Sequence, residues 1–388
     1  MIRHILTLIW NKKRSNITLL LEIILAYLVL FAVFTFAIHF LRIYQTPLGF
    51  DTQDILQVHL TYEEGLDSAQ LADVHQALRR EVAALPEVMS VSLVGQVTPF
   101  SGSTWTNHNV DNGFELSTAL YFTDAAFYET AGVKLVEGRW FEEDDHHQKY
   151  PAVVISKALR DKYFKDKPVL DSVYTLASEN RIVGVIEHFK YRDEFEEEMP
   201  ITISQHLPGN DNLAYMLIRL QPGTPATVEA SINQIIADVT KRRDFVIESL
   251  EALRKKQSRT TWVPLITGLS IAGFLLLNIA LGLFGVLFYN ISKRKAEIGL
   301  RRALGASSRE IRWQFMGEIT LVAVAGILIA SVLAAQIPFL ELLPIPADNF
   351  YRSMLLSSAI LLAVVWLCTL APSAQAARVH PAVALREE

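Results

Sequence analysis

The segment Lys293–Phe315, KRKAEIGLRRALGASSREIRWQF, is densely basic and has helical periodicity, yet it separates two long apolar runs. Glu297 and Arg301 are four residues apart, a spacing at which opposite charges meet on one helical face. Gly305 provides a helix stop, because glycine adopts left-handed dihedral angles at no steric cost. A Ser-Ser-Arg-Glu capping box follows and starts a second helix. The segment therefore predicts a helical hairpin with a sharp corner.

On either side of this hairpin, residues 292–318, the apolar runs are long enough to cross a membrane. The chain has 388 residues, 51% of them hydrophobic, with a mean hydropathy of +0.25. A transmembrane helix needs roughly 20 mostly apolar residues. The first run is longer than a signal-peptide core and has no small-residue cleavage motif, so we expect a retained anchor. The predicted spans are residues 17–40, 262–291, 319–340 and 354–371.

Basic residues predict the orientation, because Lys and Arg concentrate on the cytoplasmic side. They precede the first span at Lys12, Lys13 and Arg14 and recur in the hairpin, whereas residues 337–351 contain none. We expect a multi-pass protein of the bacterial cytoplasmic (inner) membrane, with both termini cytoplasmic and the large domain extracytoplasmic. The remaining segments are an interfacial helix, or the extended start of the first span, at 1–16, an outer loop at 341–353 and a cytoplasmic tail at 372–388.

The region 41–261 has the composition of a soluble domain and alternates strand and helix patterns. Asp67–Leu85 is predicted as an amphipathic helix between two strands, and 101–114 as irregular. Strand–helix–strand units without tight hairpin signals predict an α+β domain of split βαβ subdomains, inserted between the first two spans. Between Arg42 and Arg259 the sequence has 22 Lys or Arg and 33 Asp or Glu, a balance of −11. Such an acidic exterior argues against nucleic-acid binding.

Two acid-rich runs in this region raise the question of a metal site. FEEDDHH, Phe141–His147, contains carboxylate and imidazole groups that can ligate a divalent cation. Consecutive side chains rarely converge on one ion, so a solvated acidic loop is favoured and no metal site is predicted. EFEEEMP, 194–200, is likewise expected to be a charged surface run. The single cysteine, Cys368, excludes a disulfide within the chain, and no G-x-S-x-G nucleophile motif or other case for catalysis is present.

Three segments resemble the FtsX-like/MacB-like permeases of ABC transporters. RKAEIGLRRALGASSREIRWQFMGE, in the hairpin, is similar to the cytoplasmic segment that follows the second span in this family. YFTDAAFYETAGVKLVEGRWFEEDD through AVVISKALRDKYF and RIVGVIEHFKY is similar to the MacB-type core domain. APSAQAARVHPAVALREE resembles the family's tail. Together they cover nearly the whole chain, although VLDSVYTL lacks the glycine usually found there.

The resemblance implies a permease with four spans that acts as a dimer above a cytoplasmic ABC ATPase. Such systems couple ATP-driven closure to movement of the outer domain. The sequence has no G-x-x-x-x-G-K-[ST] motif, so we expect a separate ATPase chain to bind ATP and Mg, and this chain to bind no cofactor. The second permease subunit can be identical or related, and a periplasmic adaptor and an outer-membrane protein are candidate partners. The coupling surface is predicted at Glu297, Arg301, Arg302, Leu304, Gly305, Ala306 and Ile311.

Small residues of the second span predict a dimer contact. Gly282 and Gly285 permit close helix approach, and Asn278 can hydrogen-bond across it. Glu22 is the acid well inside a predicted span, and intramembrane ionisable groups are functional by default. We expect Glu22 at the dimer or ATPase interface, unless its side chain reaches the membrane surface.

The sequence leaves the cargo open: export or extraction of a peptide, drug, lipid or lipoprotein suits the family. A transmembrane sensor with an extracytoplasmic ligand domain is the alternative. It predicts a signalling domain after the second span, where this chain has the hairpin and two further spans. A secondary transporter or channel requires more spans, or polar residues at mid-membrane depth.

Overall fold

The computed structural model describes residues 13–111, 114–142, 144–145, 148–165, 168–176 and 178–376. The chain divides into a helical unit, Met1–Leu41 with Trp262–Glu388, and a sheet unit, Arg42–Thr261. Most of the predicted interfacial helix (1–12) and of the predicted tail (377–388) lies outside the described residues.

Helices and strands alternate through the sheet unit, and long helices make up the helical unit. The helices are α1 (Lys13–Tyr44), α2 (Ser68–Ala83), α3 (Phe127–Ala131), α4 (Lys157–Leu159, continued by a π-helical turn, Arg160–Phe164), α5 (Val228–Thr240), α6 (Leu250–Lys293), α7 (Lys295–Ala303), α8 (Ser308–Ala334), α9 (Gln336–Phe339) and α10 (Ala347–Ala376). The strands are β1 (Ile55–His59), β2 (Val88–Gly95), β3 (Trp105–Asp111), β4 (Phe114–Thr123), β5 (Leu135–Gly138), β6 (Ala152–Ser156), β7 (Val173–Thr175), β8 (Glu179–Ile186), β9 (Ile201–Gln205), β10 (Leu213–Leu220) and β11 (Val246–Ser249).

Among the described residues, four helices are long and apolar enough to cross a membrane, which confirms that part of the predicted fold class. Tyr27, a fully buried side chain of α1, places its hydroxyl within the apolar core of the helical unit. Ser331 Oγ donates to this hydroxyl over 2.8 Å, and the hydroxyl donates to the Met354 carbonyl over 3.3 Å. A buried polar group needs such partners, so one side chain links α1, α8 and α10. The candidate membrane helices are Ile17–Tyr44, Leu250–Lys293, Ser308–Phe339 and Ala347–Ala374.

The sheet unit is built on one mixed sheet with the strand order β11-β1-β10-β2-β4-β9-β6-β8-β5, to which β3 and β7 are attached through β4 and β8. Strands β2 and β4 meet at one registered pair, Val94 and Thr123, so the sheet divides there into two subdomains. In the first, β1-α2-β2 and β10-α5-β11 interleave as two split βαβ units. The predicted α+β domain of split βαβ type is thus confirmed.

Helices α2 and α5 cover the first subdomain and bury a continuous apolar layer against the sheet. Asp67 begins α2 as an N-cap: its carboxylate accepts from the Gln70 amide over 2.8 Å, and the Gln70 side chain accepts from the Asp67 amide over 3.0 Å. The reciprocal pair satisfies two amide donors that a helix start leaves free. The buried side chains of the layer include Leu78, Val82, Leu93, Met216, Ile218, Ile232 and Ile236.

The expectation of an irregular stretch at 101–114 holds for residues 101–104 and is wrong for residues 105–111. Residues 105–111, WTNHNVD, form β3 and pair antiparallel with β4, from Trp105 opposite Leu120 to Asp111 opposite Phe114. The segment lacks the apolar–polar alternation by which a half-buried strand is recognised. The turn in VLDSVYTL that lacks glycine is made by Asp171, whose φ of +60° lies in the left-handed region that aspartate tolerates.

In the acidic run FEEDDHH, Glu142 and Asp144 are exposed as the solvated-loop interpretation expects, but Asp145 is buried and paired with Arg139. Asp145 is 1% exposed and accepts from both terminal nitrogens of Arg139, over 2.6 and 2.7 Å, and from the Glu142 amide over 2.9 Å. The hydrogen bonds from Arg139 lower the pKa of the Asp145 carboxyl. Gly138 precedes this pair with φ +75°, where a Cβ would come within 2.2 Å of the Val183 carbonyl oxygen. Gly138 and Arg139 therefore shape this corner of the domain.

The metal question concerns the same run. Glu143, His146 and His147 lie outside the described residues. Among those that are described, no group of three or more His, Cys, Asp or Glu side chains is placed to hold a metal ion. The oxygens of Asp145 are occupied by arginine and amide donors.

We expect Asp145→Asn to destabilise the protein by about 2 kcal/mol, because it removes charge-assisted bonds from a buried pair. Thermal unfolding of the full chain in detergent measures the effect. Since the folded-state pKa of Asp145 is lowered, the stabilisation should be complete above the ordinary carboxyl pKa of about 3.9 and lost as pH falls through the folded value. Glu142→Gln, which removes an exposed carboxylate 3.5 Å from Arg139 Nε, is the control. Equal effects of the two substitutions would contradict the assignment.

Candidate coupling hairpin

The hairpin has a small apolar core of its own. Helix α6 ends at Lys293, and α7 and α8 follow as the two arms. Ile291, Ile298, Ile311 and Phe315 are buried together, with Ala306 packed against them. Because the cluster takes side chains from α6, α7 and α8, the two arms cannot separate without exposing it to water.

The corner between the arms follows the local sequence. Gly305 has φ +98°, a conformation that residues with a Cβ rarely adopt. Ser307 caps α8: its Oγ accepts from the Glu310 amide over 3.2 Å, and the Glu310 carboxylate accepts from the Ser307 amide over 2.8 Å. The predicted helix stop and capping box are both present at the predicted residues.

Five polar side chains close a ring around the apolar core, joining α7 to α8. Arg294 contacts Glu318 at 3.2 Å, and Gln314 donates to Glu318 over 3.2 Å. Arg301 donates to Gln314 over 2.6 Å and pairs with Glu297 at 2.7 Å. A carboxylate oxygen of Glu297 lies 3.8 Å from Arg294 Nε, which completes the ring. Planar guanidinium groups bridge two partners each, so the ring fixes the angle between the arms.

The structure separates the predicted coupling residues into two sets. Glu297 and Arg301 belong to the polar ring, Ile311 is buried, and Ala306 packs on the apolar core. Leu304 is 80% exposed and Gly305 is exposed at the corner. Arg302 lies in α7, and its side chain is outside the described part of the chain.

Sequence reasoning missed two exposed apolar side chains and three ring members. Leu300 and Trp313 are each 52% exposed, and with Leu304 they give the hairpin an apolar surface. The ring members Arg294, Gln314 and Glu318 were also absent from the predicted set. Spacing offered one signal, since Gln314 and Glu318 are four residues apart on α8.

The structure places the four residues predicted at a dimer contact in two different surroundings. Gly282 faces α1 of the same chain, where a Cβ would come within 3.1 Å of the Glu22 carboxylate. Asn278 is exposed, and its amide donates to the Phe274 carbonyl of its own helix. Gly285 is exposed with open space around its Cβ position. Gly282 and Glu22 thus belong to a helix contact inside the helical unit, and Asn278 and Gly285 to the exposed face of α6.

In the described part of the chain, four helices of membrane-spanning length, a split-βαβ sheet unit between the first two, and a basic helical hairpin define a multispan protein with a large extramembrane domain. The chain belongs to the MacB-like permease family: residues 18–235 match the MacB-like periplasmic core domain, and residues 269–381 match the FtsX-like permease C-terminal domain. The family and the four apolar helices of the described residues indicate a permease of the inner membrane with a periplasmic domain.

Its relatives include macrolide export ATP-binding/permease proteins MacB. The protein from Neisseria gonorrhoeae is 26% identical over 255 residues, covering 63% of this chain and 39% of its own length. That from Paracoccus denitrificans is 28% identical over 252 residues, covering 62% and 37%. The chain thus spans about two fifths of these relatives.

Two solved structures resemble parts of the chain. The periplasmic region of MacB from Actinobacillus actinomycetemcomitans covers 55% of this chain and 97% of its own, with 14% identity and a TM-score of 0.39. The extracellular domain of the Gram-positive transporter YknZ covers 50% and 99%, with 11% identity and a TM-score of 0.36.

We expect Gly305→Ala to open the corner, because a Cβ in a left-handed conformation costs about 1–2 kcal/mol. Hydrogen exchange measured by mass spectrometry should then be faster at the amides of residues 303–311. Gly317→Ala is the matched control: the space around both glycines is open, but Gly317 lies inside α8, where alanine favours the helix. Unchanged exchange in Gly305→Ala would show that the corner does not depend on this glycine.

Proposed function

We propose that this chain is the permease subunit of a MacB/FtsX-like ABC transporter and transmits ATP-driven motion from a cytoplasmic ATPase to its periplasmic domain. The observation that carries the proposal is the continuity of α6. Its first turn places Leu250 and Leu253 in the apolar core of the sheet unit, and its last residue, Lys293, adjoins the hairpin. A helix of 44 residues is about 66 Å long, so one element runs from the proposed input to the proposed output.

The hairpin has the rigidity and the exposed apolar side chains needed to be displaced by a bound ATPase. Its polar ring and apolar core fix the angle between its arms, and its exposed leucines and tryptophan offer an apolar contact surface. If the hairpin docks into a groove of the ATPase, movement of that groove displaces the hairpin. Helices α6 and α8, which continue from it, are then displaced as well. In this role, Leu304, Leu300 and Trp313 make the contact, while Glu297 and Arg301 keep the elbow rigid.

The partner ATPase binds ATP and Mg, since these 388 residues contain no G-x-x-x-x-G-K-[ST] motif. A second permease subunit, identical or related, packs against the exposed face of α6, where Asn278 and Gly285 lie. The cargo is a peptide, drug, lipid or lipoprotein exported or extracted at the periplasmic side. A periplasmic adaptor and an outer-membrane protein extend the assembly where the cargo leaves the cell.

A transmembrane sensor is the competing proposal. A sensor, like the proposed permease, has an extracytoplasmic domain between two spans. It gives no role to the hairpin with its polar ring or to the third and fourth membrane-length helices. Identification of the bound cytoplasmic partner separates the two.

Purification of the detergent-solubilised protein from its native membrane, with mass spectrometry of the bound chains, tests the contact. Wild type should retain a Walker-motif ATPase, and Leu304→Glu should lose it, because a carboxylate replaces an exposed apolar side chain at the elbow without disturbing the buried core.

The matched control is Leu342→Glu, at a leucine that is 62% exposed between α9 and α10. It should retain the ATPase. If wild type yields no ATPase, or if both variants bind it equally, the elbow is not the contact. Recovery of a signalling protein in its place would favour the sensor.

The orientation is tested with a membrane-impermeant maleimide in a Cys368→Ser background. Ser103→Cys, an exposed position of the sheet unit, should react in spheroplasts. Ser292→Cys, an exposed position at the start of the hairpin, should react only after the membrane is permeabilised. The reverse pattern would overturn the proposed orientation and with it the ATPase contact.

A further inference from the structure

The loop after β8 buries charged side chains that the sequence assigns to a solvated surface. Lys190 is 5% exposed and Glu194 is 7% exposed, and Asp193 and Phe195 are buried beside them. The interpretation of EFEEEMP as a charged surface run is therefore wrong for its first residues. Burying charges is costly unless each one has a partner of good geometry, so the partners indicate what the loop holds in place.

The carboxylate of Glu194 binds the beginning of α6. Arg254 donates to one of its oxygens from Nε over 2.7 Å and approaches it with Nη2 at 2.5 Å. Ser258, which is also buried, donates to the other oxygen over 2.5 Å. Arg254 and Ser258 are four residues apart and so lie on one face of the helix. Three donors from one helical face thus end on a single carboxylate.

The same loop binds the end of α1. Lys190 Nζ donates to the Ile43 carbonyl over 2.8 Å and to the Glu194 carbonyl over 2.6 Å. The Ile43 carbonyl is among the last four of α1, which have no partner within the helix, and a cation there is favoured by the helix dipole. The ring of Phe195 stacks on that of Tyr44 with centroids 5.4 Å apart. All of these residues belong to the sheet unit.

We infer that residues 190–196 form a latch that fixes the spacing between the end of α1 and the beginning of α6, with Glu194 as the residue that holds it closed. The role of the latch rests on the proposed function. In that function, relative motion of the first two spans is transmitted to the periplasmic domain through this loop. Glu194 is a positioning residue, since it acts by holding the helix ends and contacts no cargo.

The space beside the latch allows it to move. A cavity of about 580 Å³ is lined by Glu194, Arg254 and the segment 44–54 that follows α1. Protein interiors are otherwise close-packed and resist continuous deformation. The beginning of the segment can therefore shift into this volume when the latch opens, while Asp51, whose amide donates to the Ala131 carbonyl over 2.8 Å and whose carboxylate pairs with Arg219, holds its other end.

Double electron–electron resonance, which measures the distance between two spin labels, tests the latch on the full chain in nanodiscs with its co-purified ATPase. Spin labels at Gln45→Cys and Arg259→Cys, both exposed positions, report on the two helix ends in a Cys368→Ser background. Wild type should give one narrow distance peak. Glu194→Gln should shift it to longer distance and broaden it, because the amide cannot accept from both Arg254 and Ser258. Glu197→Gln, at an exposed glutamate of the same loop, should leave the peak unchanged.

A milder variant guards against misfolding. Ser258→Ala removes one of the three donors and should broaden the peak less than Glu194→Gln, with thermal unfolding as the check on folding. An unchanged peak in both variants, or an equal change in Glu197→Gln, overturns the latch whatever the fate of the proposed function. If the peak changes in Glu194→Gln but ATP does not move it in wild type, the latch stands and the transmission of ATP-driven motion fails.

Discussion

The continuous helix α6 is the element on which the other features depend. Apart from the bond that Pro264 cannot donate, its backbone groups pair within the helix, so it can leave an apolar domain core and continue through a membrane-length apolar stretch. Leu250 and Leu253 anchor its first turn, and Ile291 joins the apolar core of the hairpin at its last. Pro264 interrupts its hydrogen bonding and is the position at which a bend would form.

Paired charges fix two places in the sheet unit. Arg139 and Asp145 hold the corner after β5, and Arg254 and Glu194 hold α6 to the loop after β8. In both cases a buried carboxylate accepts from an arginine and from a second donor. Directional bonds of this kind set a distance and an angle, which apolar packing alone specifies less sharply.

Local interactions determine the corner of the hairpin, and longer-range interactions determine the angle between its arms. The turn at Gly305 and the cap at Ser307 are set within a few residues, and both were predictable from the sequence for that reason. The ring that fixes the elbow angle joins Arg294 to Glu318, 24 residues away. Sequence spacing predicted the Glu297–Arg301 pair but not the side chains across the corner, to which Arg301 is joined through Gln314.

The sequence by itself determined the four apolar helices, the split βαβ domain between the first two, and the capped corner of the hairpin, because hydrophobic periodicity and helix caps are properties of short segments. Only the tertiary structure decided which charges are buried and which small residues face a neighbour. Glu194 meets Arg254 across 60 residues of sequence, and Gly282 meets Glu22 across two helices. No local pattern distinguishes such residues from solvated ones, since their burial depends on segments that come together only when the chain folds.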